Sequence, residues 1–160
     1  MKIKFLQLIV AVALGAGMMA CNSSAREMKE AQNTEEEIAE ASGEPIELGE
    51  NDILEFGAPQ PMPIVVDFWA DWCGPCRQLS PIYHEVSKMY AGRVKFLKVN
   101  VDKCPGIAKQ YGVESIPTLL FVNQKGIINK NIGFMDKDAL VEAVESILPD
   151  PNAPLTNSPR

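Results

Sequence analysis

Two cysteines separated by two residues follow a short apolar run, and this arrangement constrains the fold more than any other feature. The run from Ile64 to Phe68 leads within five residues to Cys73-Gly74-Pro75-Cys76. This pattern predicts a buried strand that passes directly into a helix. Cysteines at positions i and i+3 share one helical face and can close a small disulfide. Because the first turn of a helix carries unpaired N–H groups and a partial positive charge, it favours a thiolate, and the pattern predicts a redox pair.

Length and charge fit a single globular domain. The chain has 160 residues, of which 46% are hydrophobic, which is enough for a substantial core. The formal net charge of -6 argues against nucleic-acid binding. Part of the acidic excess lies at Glu35, Glu36 and Glu37, which indicates a solvated segment rather than a charged site.

Residues 1–20 have the pattern of a secretory signal peptide. Two lysines precede an apolar and small-residue stretch from Phe5 to Ala20. The residues before Cys21 resemble the bacterial lipoprotein signal, in which the cysteine is lipidated and becomes the mature N-terminus, although Met18 stands where that signal usually has leucine. Ordinary cleavage after Ala20 and a retained membrane helix are the alternatives, and the stretch is short for a membrane span. We expect a periplasmic protein that a lipid anchors to the membrane, with a soluble periplasmic or extracellular protein as the alternative.

A folded domain is predicted over residues 44–148, between two polar flanks. Residues 21–43 contain few large apolar side chains and are predicted to form a flexible tether, with a docking role as the alternative. Residues 149–160 include four prolines and are predicted to be a disordered tail.

Alternating patterns within the domain predict strands and helices in succession. The predicted strands are 46–48, 64–69, 94–101, 118–122 and 127–132, and the predicted helices are 51–56, 73–90, 107–111 and 137–148. Asn51 is a plausible N-cap of the first helix, and Pro81 predicts a kink in the second. The residues Gln124-Lys125-Gly126 predict a hairpin turn.

The order of these elements, together with Trp72-Cys73-Gly74-Pro75-Cys76 and Ile116-Pro117-Thr118, resembles the thioredoxin family over roughly residues 45–148. The resemblance implies an α/β thioredoxin fold, with a central mixed β-sheet flanked by helices. It also implies a monomeric protein-disulfide reductase that needs no cofactor beyond its redox-active cysteine pair. Its partners would be disulfide-bearing proteins and a membrane protein that supplies electrons.

The two cysteines are expected to have unequal roles. Cys73, at the helix start, is the predicted nucleophile, and Cys76 is the predicted resolving thiol. Asp67 matches the buried carboxylate of the family and is the predicted base for Cys76, with a loop-capping role as the alternative. Lys98 matches the lysine that pairs with this carboxylate, and a plain solvent-facing lysine is equally consistent with its strand.

The resemblance also predicts a substrate-docking surface. Pro117 matches the family's cis proline, which presents the backbone of Ile116 to an extended substrate; an ordinary trans proline is the alternative. The other predicted docking residues are Trp72, Gly74, Pro75 and Gly133. Val101 and Ile132 fit either this surface or the core, and Ser115 and Phe134 are larger than the residues of many thioredoxins there.

Other assignments of function remain open from the sequence. Gly74-Pro75 resembles the reducing members of the family, and a disulfide oxidase or isomerase is the nearest alternative. A non-catalytic binding module is a further alternative.

Cys104 has no evident partner and is predicted to be an inert thiol, with intermolecular pairing or redox sensing as alternatives. A zinc site of Cys73, Cys76, Cys104 and His84 is disfavoured by its spacing, and no metal is expected; His84 is predicted to lie on a helix surface.

Overall fold

The computed structural model describes residues 42–149. The predicted signal peptide, Cys21 and all but the last two residues of the tether lie outside this range, as does the predicted tail beyond Pro149. The strands are β1 (Ile46–Glu47), β2 (Ile64–Trp69), β3 (Lys95–Asn100), β4 (Thr118–Val122) and β5 (Ile128–Ile132). The helices are α1 (Gly74–Met89), α2 (Pro105–Gln110) and α3 (Lys137–Ile147).

The five strands form one mixed sheet in the order β1-β3-β2-β4-β5. β1 and β2 both run parallel to β3, whereas β4 is antiparallel to β2 and to β5. The strand that precedes the cysteine pair is therefore the centre of the sheet. This arrangement, with helices on both faces, confirms the predicted fold class.

Each face of the sheet is covered by a separate apolar core. Because successive residues of a strand point to opposite faces, Val65 lies on one face and Val66 on the other. The first core packs the sheet against α1 and α3, and the second packs it against α2. Members of the first core include Val65, Leu79, Tyr83, Phe96, Leu119 and Leu140. Members of the second include Val66, Phe68, Leu97, Val99, Ile107 and Leu120.

One buried hydroxyl ties α1 to the two central strands. The Oη atom of Tyr83 donates to the carbonyl of Val65 at 3.0 Å and to that of Leu97 at 2.8 Å. The ring of Tyr83 lies edge-on to Phe96, with ring centroids 5.2 Å apart. A buried phenol needs such partners, since an unpaired buried hydroxyl is costly.

The predicted helix at residues 51–56 is wrong. Residues 52–56 form no regular element, and the carboxylate of Asp52 instead accepts the N–H of Gly49 at 2.7 Å in a turn. The carbonyl of Leu54 accepts hydrogen bonds from the side chains of Gln110 and Tyr111, at 3.0 and 2.8 Å. Side chains from around the end of α2 thus satisfy a backbone carbonyl of this irregular segment.

Helix α1 begins one residue later than predicted, because Cys73 is its N-cap, and it continues through Pro81 to Met89. A kink at Pro81 stays a prediction.

The predicted turn between β4 and β5 is confirmed. Gly126 in this turn has a φ of 78°, and the carbonyl oxygen of Ala58 lies only 2.8 Å from where a Cβ would be. Only glycine fits such a position without strain.

The described chain enters the domain against the C-terminal half of α1. Gly43 is buried, and a Cβ at this position would lie 2.9 Å from the Cα of Lys88. The carboxylate of Glu44 contacts His84 Nδ1 at 3.2 Å and Lys88 Nζ at 2.7 Å. Within residues 42–149, no helix is both long and apolar enough to cross a bilayer.

Candidate redox site

Cys73 and Cys76 form a disulfide across the first turn of α1, with their Cα atoms 5.3 Å apart. Cys73 is the N-cap, and its Sγ accepts the backbone N–H of Cys76 at 3.2 Å. Pro75 occupies the start of the helix, where no N–H donor is required. The helix start therefore directs a donor at the sulfur of Cys73, which is the arrangement that stabilises a thiolate.

Burial does not distinguish the two cysteines in this oxidised form. Cys73 is 4% exposed and Cys76 is 3% exposed, so both side chains are buried to the same extent. The two sulfurs differ instead in their position on the helix. Cys73 caps the helix and receives its N–H donor, whereas Cys76 lies within the first turn.

Asp67 is a buried carboxyl group in the middle of the central strand. It is only 1% exposed, and its neighbours in the sheet are Lys98 on β3 and Leu119 on β4. Burial raises its pKa from 3.8 to about 7, and the positive charge of Lys98 opposes this rise. Its Oδ1 atom has no hydrogen-bond partner among the described residues. A position inside a strand paired on both sides does not fit the loop-capping alternative.

Lys98 lies beside Asp67 in the register of β2 and β3 and contacts a second residue of β2. Its Nζ atom lies 4.4 Å from the ring centroid of Trp69, a cation–π contact. Trp69 shares a strand face with Asp67, and its Nε1 is likewise buried without a partner among residues 42–149. Lys98 is thus not a plain solvent-facing lysine, because its charge acts on Asp67 while its ammonium group covers the indole.

Several predicted docking residues lie next to the disulfide, either in the chain or in their packing. The peptide bond between Ile116 and Pro117 is cis, as predicted, and the N–H of Gly133 donates to the carbonyl of Pro117 at 2.8 Å. Trp72 is 67% exposed, and Ile116 packs partly buried against the cysteine pair. A shallow cavity of about 350 Å³ adjoins them and is lined by Trp72, Val101, Val113, Glu114, Ser115 and Ile116.

The sequence did not decide whether Val101 and Ile132 belong to the docking surface or to the core, and the structure places them differently. Ile132 is 66% exposed, which assigns it to the surface. Val101 is partly buried against both the cysteine cluster and the α2-side core, and it also lines the cavity. Phe134 is 46% exposed beside this surface.

Asp102 is a residue of this site that the sequence analysis missed. Its Oδ2 atom accepts the indole N–H of Trp72 at 2.9 Å. The buried Asn100, at the end of β3, in turn accepts the backbone N–H of Asp102 at 2.9 Å. The only sequence signal for Asp102 was an acidic residue just after a predicted strand. Because the sequence contains many acidic residues, this signal could not single it out.

Cys104, the third cysteine within residues 42–149, and His84 make their contacts away from the disulfide. Cys104 is 2% exposed, and its thiol faces the carbonyls of Leu48 and Gly49 at 3.6 and 3.4 Å. Burial, and then the charge of Asp52, raise the pKa of this thiol, which favours its protonated form; an inert role for Cys104 stays a prediction. His84 contacts Glu44 on the surface of α1. The four residues of the zinc alternative are not brought together, and the described part of the chain contains no metal-binding cluster of His, Cys, Asp or Glu.

A mixed sheet whose central strand leads to a disulfide at a helix N-cap, with a cis proline beside it, defines a dithiol–disulfide protein. The chain belongs to the thioredoxin family, since residues 52–146 match that family, described as "Thioredoxin". Members of this family are protein-disulfide oxidoreductases.

Individual relatives agree with this assignment. The chain is 38% identical to the M-type chloroplastic thioredoxin of Spinacia oleracea over 110 residues, which cover 69% of this chain and 61% of the spinach protein. It is 42% identical to a thioredoxin of Synechocystis over 87 residues, 54% of this chain and 81% of that protein. A solved structure of a mutant thioredoxin from Halobacterium salinarum is similar with a TM-score of 0.60 and 28% identity, covering 68% of this chain and 95% of the other.

Proposed function

We propose that this protein reduces disulfides in other proteins, outside the cytoplasm, through a mixed-disulfide intermediate. The observation that carries the proposal is the contact between the N–H of Cys76 and the sulfur of Cys73 at the start of α1. A reduced Cys73 at this position has a donor aimed at its sulfur and the partial positive charge of the helix behind it. Both favour the thiolate that attacks a disulfide.

The reaction has two exchange steps. In the first, the thiolate of Cys73 attacks one sulfur of the client disulfide, forms a mixed disulfide and expels the other client sulfur as a thiolate. In the second, the thiolate of Cys76 attacks the sulfur of Cys73, which closes the Cys73–Cys76 disulfide and releases the second client thiol. The dithiol has then given two electrons to the client and is in the oxidised form described above.

Asp67 is the proposed acceptor of the proton from Cys76. A thiol buried as deeply as Cys76 stays protonated at neutral pH unless a base removes its proton. With a pKa of about 7, the carboxyl group of Asp67 can both accept and return a proton near neutral pH. Asp67 shares a face of β2 with Val65, whose core packs against α1, so it lies on the side of the sheet that carries Cys76.

Reduction is the proposed direction because Gly74-Pro75 resembles the reducing thioredoxins. Redox titration of the purified protein tests this directly. A potential near about −270 mV supports a reductase, whereas a potential near about −120 mV belongs to a strong oxidant and would contradict the proposal.

A Cys76→Ala variant tests the mechanism itself. Without the resolving thiol, clients should remain attached to Cys73 as mixed disulfides that mass spectrometry can identify. The matched control is Cys73→Ala, which should trap none. If neither variant accumulates adducts, client reduction through Cys73 is wrong.

We further propose that the protein is a monomeric periplasmic lipoprotein anchored through Cys21 and recharged by a membrane electron donor. The support is the sequence of residues 1–21, together with the need of any reductant in an oxidising compartment for a supply of electrons. A Cys21→Ser variant should move from the membrane fraction to the soluble fraction. Equal membrane association of both forms would contradict the lipid anchor.

A further inference from the structure

We propose that the free edge of β5 binds an extended segment of the client polypeptide as an added antiparallel strand. This inference rests on the proposed reductase function and assigns a second, strand-like contact to its clients. β5 is the last strand of the sheet, and no other strand within residues 42–149 pairs with its outer side. Such an edge offers rows of N–H and C=O groups to another chain.

The ladder between β4 and β5 shows which backbone groups face outward. Gly133 donates to the carbonyl of Pro117, and the carbonyl of Ile127 accepts from Asn123. Because hydrogen-bonded and non-hydrogen-bonded pairs alternate along an antiparallel ladder, the odd-numbered residues of β5 face β4. The N–H and C=O groups of Ile128, Lys130 and Ile132 therefore face outward.

The residue that would protect this edge points away from it. Lysine on an edge strand is a common defence against pairing with other chains. Here the Nζ atom of Lys130 donates to the carbonyl of Tyr111 at 2.6 Å and to that of Gly112 at 3.2 Å. These carbonyls follow the end of α2, so the ammonium group is held over the sheet face and leaves the edge open.

The side chains beside the open backbone favour an apolar partner with an acidic centre. Ile128 and Ile132 are 37% and 66% exposed, on the same face as Lys130. A strand paired antiparallel about Lys130 would have residues opposite each isoleucine and one opposite the lysine. Apolar side chains at the two outer positions and a carboxylate at the centre would complement them.

The position of β5 connects this edge to the redox site. Its C-terminal end continues into Gly133, which donates to the carbonyl of Pro117, and the preceding residue, Ile116, packs against the cysteine pair. Ile132 and Phe134 extend the exposed apolar surface in that direction. A client strand on β5 would therefore run toward the docking surface around Cys73, which makes a client the occupant that fits this edge.

A second copy of the chain fits this edge less well. The sequence of β5, Ile128-Asn129-Lys130-Asn131-Ile132, reads the same in both directions, so a two-fold pair of these strands would centre on Lys130. That pairing would place two lysines opposite each other, which is unfavourable. Five paired residues also bury less than the roughly 1,200 Å² typical of stable interfaces.

Amide hydrogen exchange on the full-length oxidised protein tests the contact. The probe is a capped, cysteine-free heptapeptide with glutamate at its centre, valines two residues to either side and threonines elsewhere. At saturating peptide, the amides of Ile128, Lys130 and Ile132 should exchange about tenfold more slowly, because each gains a hydrogen-bond partner. Asn129 and Asn131, whose amides already face β4, are the internal controls. A peptide with lysine at its centre should bind more weakly.

A pair of variants at one position tests the same edge through catalysis. Lys130→Pro removes an outward N–H without breaking a bond to β4, and Lys130→Ala removes the same side chain but keeps the N–H. For the heptapeptide joined by a short linker to a disulfide, Lys130→Pro should raise KM about tenfold with kcat unchanged. The KM of Lys130→Ala for the same substrate should stay within about threefold of that of the original protein. Reduction of a small aromatic disulfide should be the same in all three.

The outcomes separate this inference from the proposed function. If the original protein does not reduce the small disulfide, the reductase proposal fails, whatever the exchange data show. If the small disulfide is reduced but neither amide protection nor the KM difference appears, the β5 contact is wrong. Protection of the three amides without peptide would also overturn it. Protection that depends on protein concentration would indicate a second copy of the chain. Protection that is lost on truncation after Leu148 would indicate the chain's own tail.

Discussion

The indole of Trp72 is held in place by Asp102, whose carboxylate accepts its N–H at 2.9 Å. Asp102 in turn follows Asn100, the buried residue that ends β3 and accepts the N–H of Asp102. The exposed ring beside the disulfide is thus positioned from the neighbouring strand rather than from its own loop alone. A ring fixed before the client arrives costs less entropy on binding than a mobile one.

Replacing Asp102 should therefore weaken client binding more than chemistry. We expect Asp102→Ala to raise KM for a protein disulfide about three- to tenfold, the effect of losing one hydrogen bond, with kcat little changed. Steady-state kinetics with a protein client and a small disulfide measure this, and the small disulfide should be unaffected. Asp102→Asn keeps an acceptor for the indole and is the matched control. Equal KM values for all forms would exclude the positioning role.

The buried carboxyl of Asp67 should lower the stability of the oxidised protein as pH rises. Its folded pKa of about 7 lies above the ordinary value of 3.8, so the folded state keeps a proton that the unfolded state has lost. The penalty is absent below about pH 4, grows from there to pH 7 and is complete above it. Its full size is on the order of 4 kcal/mol.

Asp67→Asn removes this titration and provides the test. Relative to the original protein, the variant should gain roughly 3 kcal/mol in free energy of unfolding between pH 5 and pH 8. Denaturant unfolding at several pH values measures the difference. Asp71→Asn, on the loop before the disulfide, is a control for removing a carboxylate. A stability difference that does not change with pH would show that Asp67 has an ordinary pKa.

The same substitution should slow the second exchange step. If Asp67 accepts the proton of Cys76, Asp67→Asn should lower the rate of mixed-disulfide resolution by about 10²-fold at neutral pH, within the range for a lost general base. The rate should also lose its inflection near pH 7. Single-turnover kinetics with a preformed mixed disulfide on Cys73 isolate this step. A variant that keeps both the rate and the inflection would assign the proton to another group.

Lys98 should set how far the pKa of Asp67 rises. Because the positive charge of Lys98 opposes the effect of burial, Lys98→Met should move the pKa of Asp67 above about 7. Lys98→Arg keeps the charge and should leave the pKa nearly in place. Carbon-detected NMR titration of the Asp67 carboxyl group follows both. An unchanged pKa in Lys98→Met would mean that the charge is screened at this distance.

Removing the hydroxyl of Tyr83 should destabilise the sheet without affecting the chemistry. Its Oη atom donates to carbonyls on both β2 and β3, and Tyr83→Phe would cost about 1 to 2 kcal/mol of unfolding free energy. Urea unfolding measures the loss, and reduction of a small disulfide should continue at the original rate. Tyr90→Phe, which removes a single, longer and only partly buried hydrogen bond to Glu145, is a control with a smaller expected effect. A stability equal to the original would mean that other donors replace the phenol.

The sequence predicted most of the fold because its motifs and periodicities are local. Strand β2, the helix after Cys73 and the β4–β5 hairpin each follow from a contiguous pattern. The helix predicted at residues 51–56 is absent, and this segment is instead held by long-range donors from Gln110 and Tyr111 to the carbonyl of Leu54. Nothing in the local sequence could indicate those partners.

The site could be predicted in its residues but not in its contacts. Cys73, Cys76 and Asp67 were found from the motif and from a carboxylate inside an apolar strand. Asp102 and the position of Lys98 over Trp69 were not, because both depend on which strands become neighbours in the sheet. An alternating strand gives the face of a residue, but its partner on that face comes from the topology.

The burial of Gly43 and the contacts of Glu44 fix where the chain enters the domain. Both pack against the last turns of α1, a helix of 16 residues whose other end carries the disulfide. At 1.5 Å per residue, these ends are about 24 Å apart. The chain upstream of residue 42 therefore joins the domain at the end of α1 that lies opposite the disulfide, about one full helix length from the redox pair.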